Sequence, residues 1–144
     1  MATLEKAIEI AAQAHAGQID KAGQPYILHP LKVMLRLVDP QHRIAAVLHD
    51  VVEDSDISLE ILAKHGFSPD ILQAVDALTK RKGEDRISAA RRAAANPIAL
   101  AVKLADNAEN MDLSRISAPT EKDFQRLEDY KKVREILLGA KAET

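Results

Sequence analysis

The chain has 144 residues, of which 47% are hydrophobic and only 3% aromatic, with neither tryptophan nor cysteine. Its 20 basic and 22 acidic residues give a formal net charge of -2, so no global positive field favours nucleic acid or an anionic membrane as a partner. The lack of cysteine excludes disulfides and thiolate metal sites, and without a signal-peptide pattern or an apolar run near the roughly 18 residues of a spanning helix, we expect a cytoplasmic protein.

The periodicity of the apolar residues predicts an all-α fold of about eight helices in one domain. Ala-rich segments without alternating β-branched runs favour close-packed helices. Thr3 and Ser58 are expected to cap helices, and Pro30, Pro97 and Pro119 are expected to open them. In chain order the expected helices cover about 4–15, 30–38, 41–53, 59–64, 70–78, 87–95, 97–111 and 119–138.

Polar groups are concentrated at the end of the third expected helix, where an apolar run leads into His49-Asp50 and then Glu53-Asp54. On a helix, residues four apart share a face, so His49 is expected on the same face as Glu53, and Asp50 on the same face as Asp54. An imidazole beside three carboxylates is costly to desolvate unless a cation compensates. A metal ion would be such a cation.

Two further segments offer ligands for that metal. His29 lies just before the expected start of the second helix, and Asp106 lies within an otherwise apolar helical segment. With His49 and Asp50 they make two imidazoles and two carboxylates, which suit Mn²⁺, Fe²⁺, Mg²⁺ or Zn²⁺. Four protein ligands would leave positions on the ion for water and a phosphate oxygen. The sequence therefore predicts a divalent metal site for phosphate chemistry.

This set of residues resembles the site of the HD-domain metal phosphohydrolases, and the chain is most similar to single-domain hydrolases related to the hydrolase half of RelA/SpoT proteins. The resemblance covers about residues 4–138 and implies a single HD domain over residues 1–144. The segments that carry the resemblance are His15-Ala16-Gly17-Gln18, Gly23-Gln24-Pro25-Tyr26-Ile27-Leu28-His29-Pro30, Leu48-His49-Asp50-Val51-Val52-Glu53-Asp54 and Val102-Lys103-Leu104-Ala105-Asp106.

The resemblance also implies a reaction and a role for each group. The reaction is hydrolysis of the 3′-pyrophosphate of (p)ppGpp with Mn²⁺ or another divalent ion. Glu53 and Asp54 would orient and activate the attacking water instead of holding the metal. The implied substrate contacts are Lys21, Asn110, Arg126 and Tyr130. For Arg126 and Tyr130 on the last helix, a charged helix surface and core packing are the competing interpretations.

Three positions depart from the pattern of relatives that hydrolyse the alarmone. Asp20, Asn107 and Asp112 stand where those relatives commonly carry arginine. Lys80-Arg81-Lys82 and Arg86 in the central loop could supply the missing positive charge. One alternative is therefore an HD phosphatase acting on another nucleotide, such as the 2′-phosphate of NADPH or a nucleoside monophosphate. Another is a non-catalytic nucleotide-binding module, against which the complete ligand set argues. The sequence leaves the oligomeric state open.

Overall fold

Nine helices and no strand occur in residues 1–114 and 116–143, the part of the chain that the computed structural model describes. The predicted all-α fold is therefore confirmed, and an isolated bridge joins Ile19 to Pro25. Among these residues, none of the helices combines the length and the apolar character needed to cross a membrane. The helices are α1 (Leu4–Ala14), α2 (Leu28–Leu35), α3 (Pro40–Leu48), α4 (Val51–Asp54), α5 (Leu59–Lys64), α6 (Pro69–Leu78), α7 (Arg86–Ala94), α8 (Pro97–Asn110) and α9 (Glu121–Ala142).

The third expected helix is interrupted, which accounts for the additional element. α3 ends at Leu48 and α4 begins at Val51, so the predicted continuous helix over 41–53 is wrong. The cause is His49, whose Nδ1 atom donates to the carbonyl of Ala46. In a continuous helix the amide of Asp50 would use that carbonyl. The side chain of His49 therefore competes with the backbone where the polar motif begins.

Two other helix starts differ from the prediction by two residues. α2 begins at Leu28, and Pro30 is its third residue; this is tolerated because the first-turn amides of a helix have no intrahelical acceptor. α9 begins at Glu121, with Thr120 as its N-cap, because Thr120 and Asp123 form a capping box. Pro119 therefore precedes the helix.

The main core is formed where α3 packs against α1, α2, α6 and α8. Four consecutive residues of α3, Ala45 to Leu48, are buried, so the segment leading into His49 is enclosed by other helices. A smaller cluster joins α7, α8 and α9 through Ala90, Leu100, Val133 and Leu137. The helices α3 and α8 thus form a rigid base for the residues that they carry at their ends.

Only part of the expected inner face of α9 is buried. Val133 and Leu137 are in the core, whereas Phe124 is 53% exposed and Leu138 is 45% exposed. Both exposed residues were expected on the inner side, and for them the prediction is wrong. The apolar residues of α9 spread around more than one face, so periodicity alone did not identify the buried stripe.

Arg92 in α7 fixes the segment that connects α6 to α7. Its guanidinium donates to the carboxylate of Glu84, at 2.6 and 3.1 Å, and to the carbonyls of Asp76, Ala77 and Thr79, at 2.7 to 3.2 Å. The hydrogen bond from Arg92 is the main reason that the pKa of Glu84 is lowered to about 2. The segment is therefore tied to the end of α6 by several charge-assisted hydrogen bonds.

Replacing Arg92 by methionine is expected to lower the free energy of unfolding by about 1–3 kcal/mol, because the carbonyls at the end of α6 lose their donors. Urea unfolding followed by circular dichroism measures this. Arg91→Met, an exposed position on the same helix, is the matched control and should change stability by less than about 0.5 kcal/mol. Equal effects of the two variants would contradict the anchoring role.

The same comparison has an expected pH dependence. Because the pKa of Glu84 is lowered in the folded protein from 4.5 to about 2, its contribution is complete above the unfolded value and is lost as the pH falls towards 2. The stability difference between the wild type and Arg92→Met should therefore shrink between pH 5 and about 3. A difference that grows over this interval would contradict the assigned ion pair.

Candidate metal centre

Four side chains from three parts of the fold converge at the break between α3 and α4. His29, His49 and Asp50 each offer a ligand atom, and these atoms all lie within 4.8 Å of one another. Asp106 of α8 joins them, because its Oδ1 atom lies 2.8 Å from His29 Nε2 and 3.5 Å from His49 Nε2. The structure thus brings together the four residues that the sequence predicts as metal ligands.

The helix break allows consecutive residues to point at the same place. In a continuous helix the side chains of His49 and Asp50 would diverge by roughly 100° around the axis. Asp50 instead adopts φ -103° and ψ -2°, between the two helices. His49 Nε2 then lies 3.1 Å from Asp50 Oδ2. The interruption therefore produces the local geometry that a shared ligand would require.

The hydrogen bonding of His49 suits a metal ligand. Since Nδ1 donates to Ala46, the neutral ring carries its lone pair on Nε2. This Nε2 atom is buried and, among the described residues, has no hydrogen bond of good geometry despite the nearby Asp50 carboxylate. A buried nitrogen lone pair that faces the carboxylates of Asp50 and Asp106 suits the binding of a divalent cation.

The electrostatics of the cluster also favour a cation. Burial lowers the pKa of His49, but the charge of Asp50, followed by the close approach of the Asp106 and Asp50 carboxylates to the ring, outweighs it and raises that pKa well above its usual value. For Asp106, burial raises the pKa, and the charge of Lys103 with the two imidazoles lowers it well below the usual range. The position between these side chains therefore stabilises positive charge.

Tyr26 holds the carboxylate of Asp50, a contact that the sequence did not predict. The phenol hydroxyl donates to Asp50 Oδ2, and the ring lies 4.9 Å from His15 and 5.8 Å from His29, measured between centroids. His15 is buried and bonds through Nδ1 to Gln18 Oε1 at 2.8 Å, so it packs behind the site. The only indication of this contact in the sequence is that Tyr26 belongs to the same motif as His29.

Glu53 and Asp54 lie one turn beyond the cluster, in α4. Among the described residues, neither Glu53 nor Asp54 joins His29, His49 and Asp50 in the set whose ligand atoms all lie within 4.8 Å of one another. Glu53 Oε1 accepts a hydrogen bond of 2.8 Å from the amide of Lys80 and lines the adjacent cavity. Burial, followed by the charges of Asp50 and Glu53, raises the pKa of Asp54 to about 6. A carboxylate with such a pKa suits proton transfer near neutral pH.

Two cavities meet at the cluster. One of about 260 Å³ lies towards α7, and we call it the α7 cavity. The other, of about 350 Å³, lies towards the loop that precedes α2, and we call it the loop cavity. Asp50, Asp106, Asn110 and Tyr130 line both. A ligand that spans the two cavities would therefore pass over the candidate metal centre.

The structure divides the four predicted substrate contacts. Lys21 lines the loop cavity, and Asn110 and Tyr130 line both cavities. Asn110 Nδ2 also donates to Asp106 Oδ1 at 3.2 Å, which ties it to the cluster. Arg126 lines neither cavity; it lies beside a narrow cleft of about 20 Å³ and contacts Asp123 at 3.4 Å. Arg126 is thus the predicted contact that lies farthest outside the site.

The departures at Asn107 and Asp112 have different structural settings. Asn107 is only 2% exposed, and its Nδ2 atom donates to the carbonyl of Tyr130 at 2.9 Å, so it joins α8 to α9. Asp112 is exposed and lines the narrow cleft with Lys21 and Arg126. Asn107 therefore has a packing role here, whereas Asp112 places a negative charge near two candidate substrate contacts.

Comparisons with known proteins identify relatives along most of the chain. A family model described as "HD domain" matches residues 7–142. A solved structure of a metazoan ortholog of SpoT that hydrolyses ppGpp superposes with a TM-score of 0.79 and 30% identity, covering 97% of this chain and 88% of the other.

Two curated relatives match as parts of longer proteins. A guanosine-3′,5′-bis(diphosphate) 3′-pyrophosphohydrolase of Borreliella burgdorferi is 44% identical over 79 residues, which is 52% of this chain and 12% of the relative. A GTP pyrophosphokinase of Streptomyces coelicolor is 35% identical over 147 aligned positions, which is 93% of this chain and 16% of the relative. The chain therefore spans less than a fifth of either protein.

Proposed function

Since the chain belongs to the HD-domain family, we propose that it is a metal-dependent nucleotide phosphohydrolase that acts on guanosine-3′,5′-bis(diphosphate), with residues 1–144 forming one HD domain. The products would be GDP and pyrophosphate. The observation that carries this proposal is the convergence of His29, His49, Asp50 and Asp106 where two cavities meet. The similarity to a metazoan ppGpp hydrolase along almost the entire chain supports the choice of substrate.

We propose that His29, His49, Asp50 and Asp106 hold the divalent ion and that the ion is Mn²⁺. Mixed nitrogen and oxygen ligands are compatible with this ion, and the orphaned Nε2 atom of His49 supports a bound cation. When bound, such an ion polarises a phosphate oxygen and lowers the pKa of a coordinated water. Tyr26 would keep the Asp50 carboxylate oriented through its hydroxyl.

The remaining polar residues would perform the proton transfer and position the substrate. Asp54 and Glu53 would accept the proton of the attacking water, and the raised pKa of Asp54 supports its part in this. Asn110 would orient groups next to Asp106, to which it is already hydrogen-bonded. Lys21 and Tyr130 would contact the nucleotide from the walls of the loop cavity. Arg126 would contact the nucleotide only at the edge of the site, from the narrow cleft that it lines with Lys21.

A phosphatase acting on another nucleotide is the second candidate. Asp112, which lies beside Lys21 and Arg126, favours it because a negative charge there opposes binding of a highly charged phosphate group. The 2′-phosphate of NADPH and a nucleoside monophosphate are the substrates to compare. A non-catalytic nucleotide-binding module is less well supported, because both the predicted ligands and the two carboxylates of α4 are present together.

A substrate panel tests the proposal. Metal-stripped protein should release pyrophosphate from ppGpp, in equal amount to GDP, only after Mn²⁺ is added. NADPH and GMP should give little phosphate under the same conditions. Phosphate release from NADPH or GMP, with none from ppGpp, would replace the alarmone by the second candidate. Nucleotide binding without turnover of any substrate would favour the binding module.

A further inference from the structure

We propose that Lys80 and Arg86 bind a second phosphate group of the substrate, one attached to a different position of the nucleotide from the group that lies at the metal centre. The inference rests on the proposed function and deepens it. It assigns the α7 cavity to an anion and selects nucleotides that are phosphorylated at two positions over those phosphorylated at one.

Three basic side chains form a cationic part of the wall of the α7 cavity. Lys80, Arg86 and Lys103 line it together with His49, Asp50 and Asp106. Lys103 is committed to the cluster, because its Nζ atom lies 3.3 Å from Asp106 Oδ2. Lys80 and Arg86 are therefore the cations of this wall that remain to receive a ligand.

Two other arginines near this wall, Arg81 and Arg92, have protein partners. Arg81 lies 3.1 Å from Asp76, and Arg92 lies 2.6 Å from Glu84. In residues 1–114 and 116–143, no ion pair involves Lys80 or Arg86. Lys80 and Arg86 line the same cavity, and like charges there repel one another unless an anion compensates them. Lys80 and Arg86 therefore leave positive charge in the α7 cavity that no ion pair of the described residues neutralises.

Both residues are held in place by contacts that leave their charges available. The backbone of Lys80 is fixed by its amide, which donates to Glu53 Oε1 at 2.8 Å, so its side chain is not needed for this anchor. The guanidinium of Arg86 lies 5.0 Å from the ring centroid of Tyr130. Stacking on an aromatic face orients a guanidinium and keeps its N–H edges available for a bidentate contact with phosphate.

The position of this pair relative to the metal centre defines the ligand. The reacting phosphate must lie beside His49 and Asp106, whereas Lys80 follows the end of α6 and Arg86 begins α7, two helices that carry none of the candidate ligands. The loop cavity has fewer positive groups, since Asp20 lies beside Lys21 on its wall. A nucleotide with one phosphate group would occupy the metal centre and leave the pair unused. A nucleotide with a diphosphate at each of two positions would occupy both.

Arg86→Gln and Lys80→Gln test the proposal against two substrates, ppGpp and guanosine 3′-diphosphate, which lacks the 5′-diphosphate. Each variant should raise the KM for ppGpp about 10- to 100-fold, as expected for loss of a charged hydrogen bond, with kcat changed less than about threefold. The KM for guanosine 3′-diphosphate should stay within about threefold. Arg91→Gln and Lys82→Gln, exposed positions on the same helix and loop that lie outside the α7 cavity, are the matched controls and should behave as the wild type.

An unchanged KM for ppGpp, or equal losses with the two substrates, would overturn the proposal. If the wild-type protein hydrolyses neither nucleotide, the proposed function fails, and calorimetric titration with ppGpp tests the anion site separately. In that case Arg86→Gln should still weaken ppGpp binding about 10-fold or more, and an unchanged affinity would reject the site.

Discussion

Asp106→Asn is expected to weaken divalent metal binding at least about 100-fold and to lower kcat/KM roughly 1,000-fold. The substitution keeps the shape of the side chain but removes the charge that faces His29, His49 and Lys103. Lys103 would then lie beside the cluster without its carboxylate partner and would itself oppose a cation. Metal content by mass spectrometry and titration with Mn²⁺ followed by electron paramagnetic resonance measure the loss.

Glu109→Gln provides the matched control for Asp106→Asn. Glu109 is a buried acid on the same helix, but it pairs with Arg36 at 2.7 Å and is outside the candidate ligand group. Its replacement should lower stability and leave the affinity for Mn²⁺ within about threefold. If Asp106→Asn kept normal metal content, or if both variants lost the metal equally, the assignment of Asp106 as a ligand would fail.

The candidate ligands could be predicted because their motifs combine residue type with order along the chain. His29, His49-Asp50 and Asp106 each follow or interrupt an apolar segment, and donors of this kind have few uses together apart from binding a cation. Their convergence depends on α3 packing against α2 and α8, and the apolar faces that periodicity predicts for these helices favour such packing. The role of each residue as a ligand stays a prediction.

The interruption of the third helix could not be predicted in the same way. Periodicity reports which face of a helix is buried, and the apolar residues up to Leu48 continue without a break signal. What ends the helix is a side-chain contact, from His49 to the carbonyl of Ala46, together with the approach of Asp50 to Tyr26. The contact of Asp50 with Tyr26 depends on tertiary structure, since Tyr26 is distant in sequence, and the local contact of His49 leaves no trace in the apolar periodicity.

The departures from the family pattern show the same limit. By residue type Asn107 only lacks the positive charge of its relatives, yet in the structure it is a buried amide that donates to the carbonyl of Tyr130 in α9 and accepts from Arg134 at 3.5 Å. Nothing in the sequence around Asn107 indicates that α9 would pass over it. A comparison of residue types alone therefore measures charge but does not identify which helix a side chain supports.

Glu53→Gln is expected to lower kcat about 100- to 10,000-fold while metal affinity stays within about threefold. Glutamine retains an oxygen that can accept the hydrogen bond from the amide of Lys80, so the loop should remain anchored. It cannot accept a proton from water, and this loss accounts for the expected fall in turnover. Single-turnover kinetics and Mn²⁺ titration on the same preparations separate the two effects.

Glu53→Ala separates proton transfer from anchoring, because alanine removes both the base and the acceptor for Lys80. Relative to Glu53→Gln, this variant should show a similar kcat and an additional rise in KM for ppGpp, since the loop that carries Lys80 loses its anchor. Glu60→Gln, an exposed acid on α5, is the control for loss of one negative charge. Unchanged turnover in Glu53→Gln would refute a catalytic role for Glu53 and leave Asp54 as the remaining base. Loss of metal in that variant would instead make Glu53 part of the metal centre.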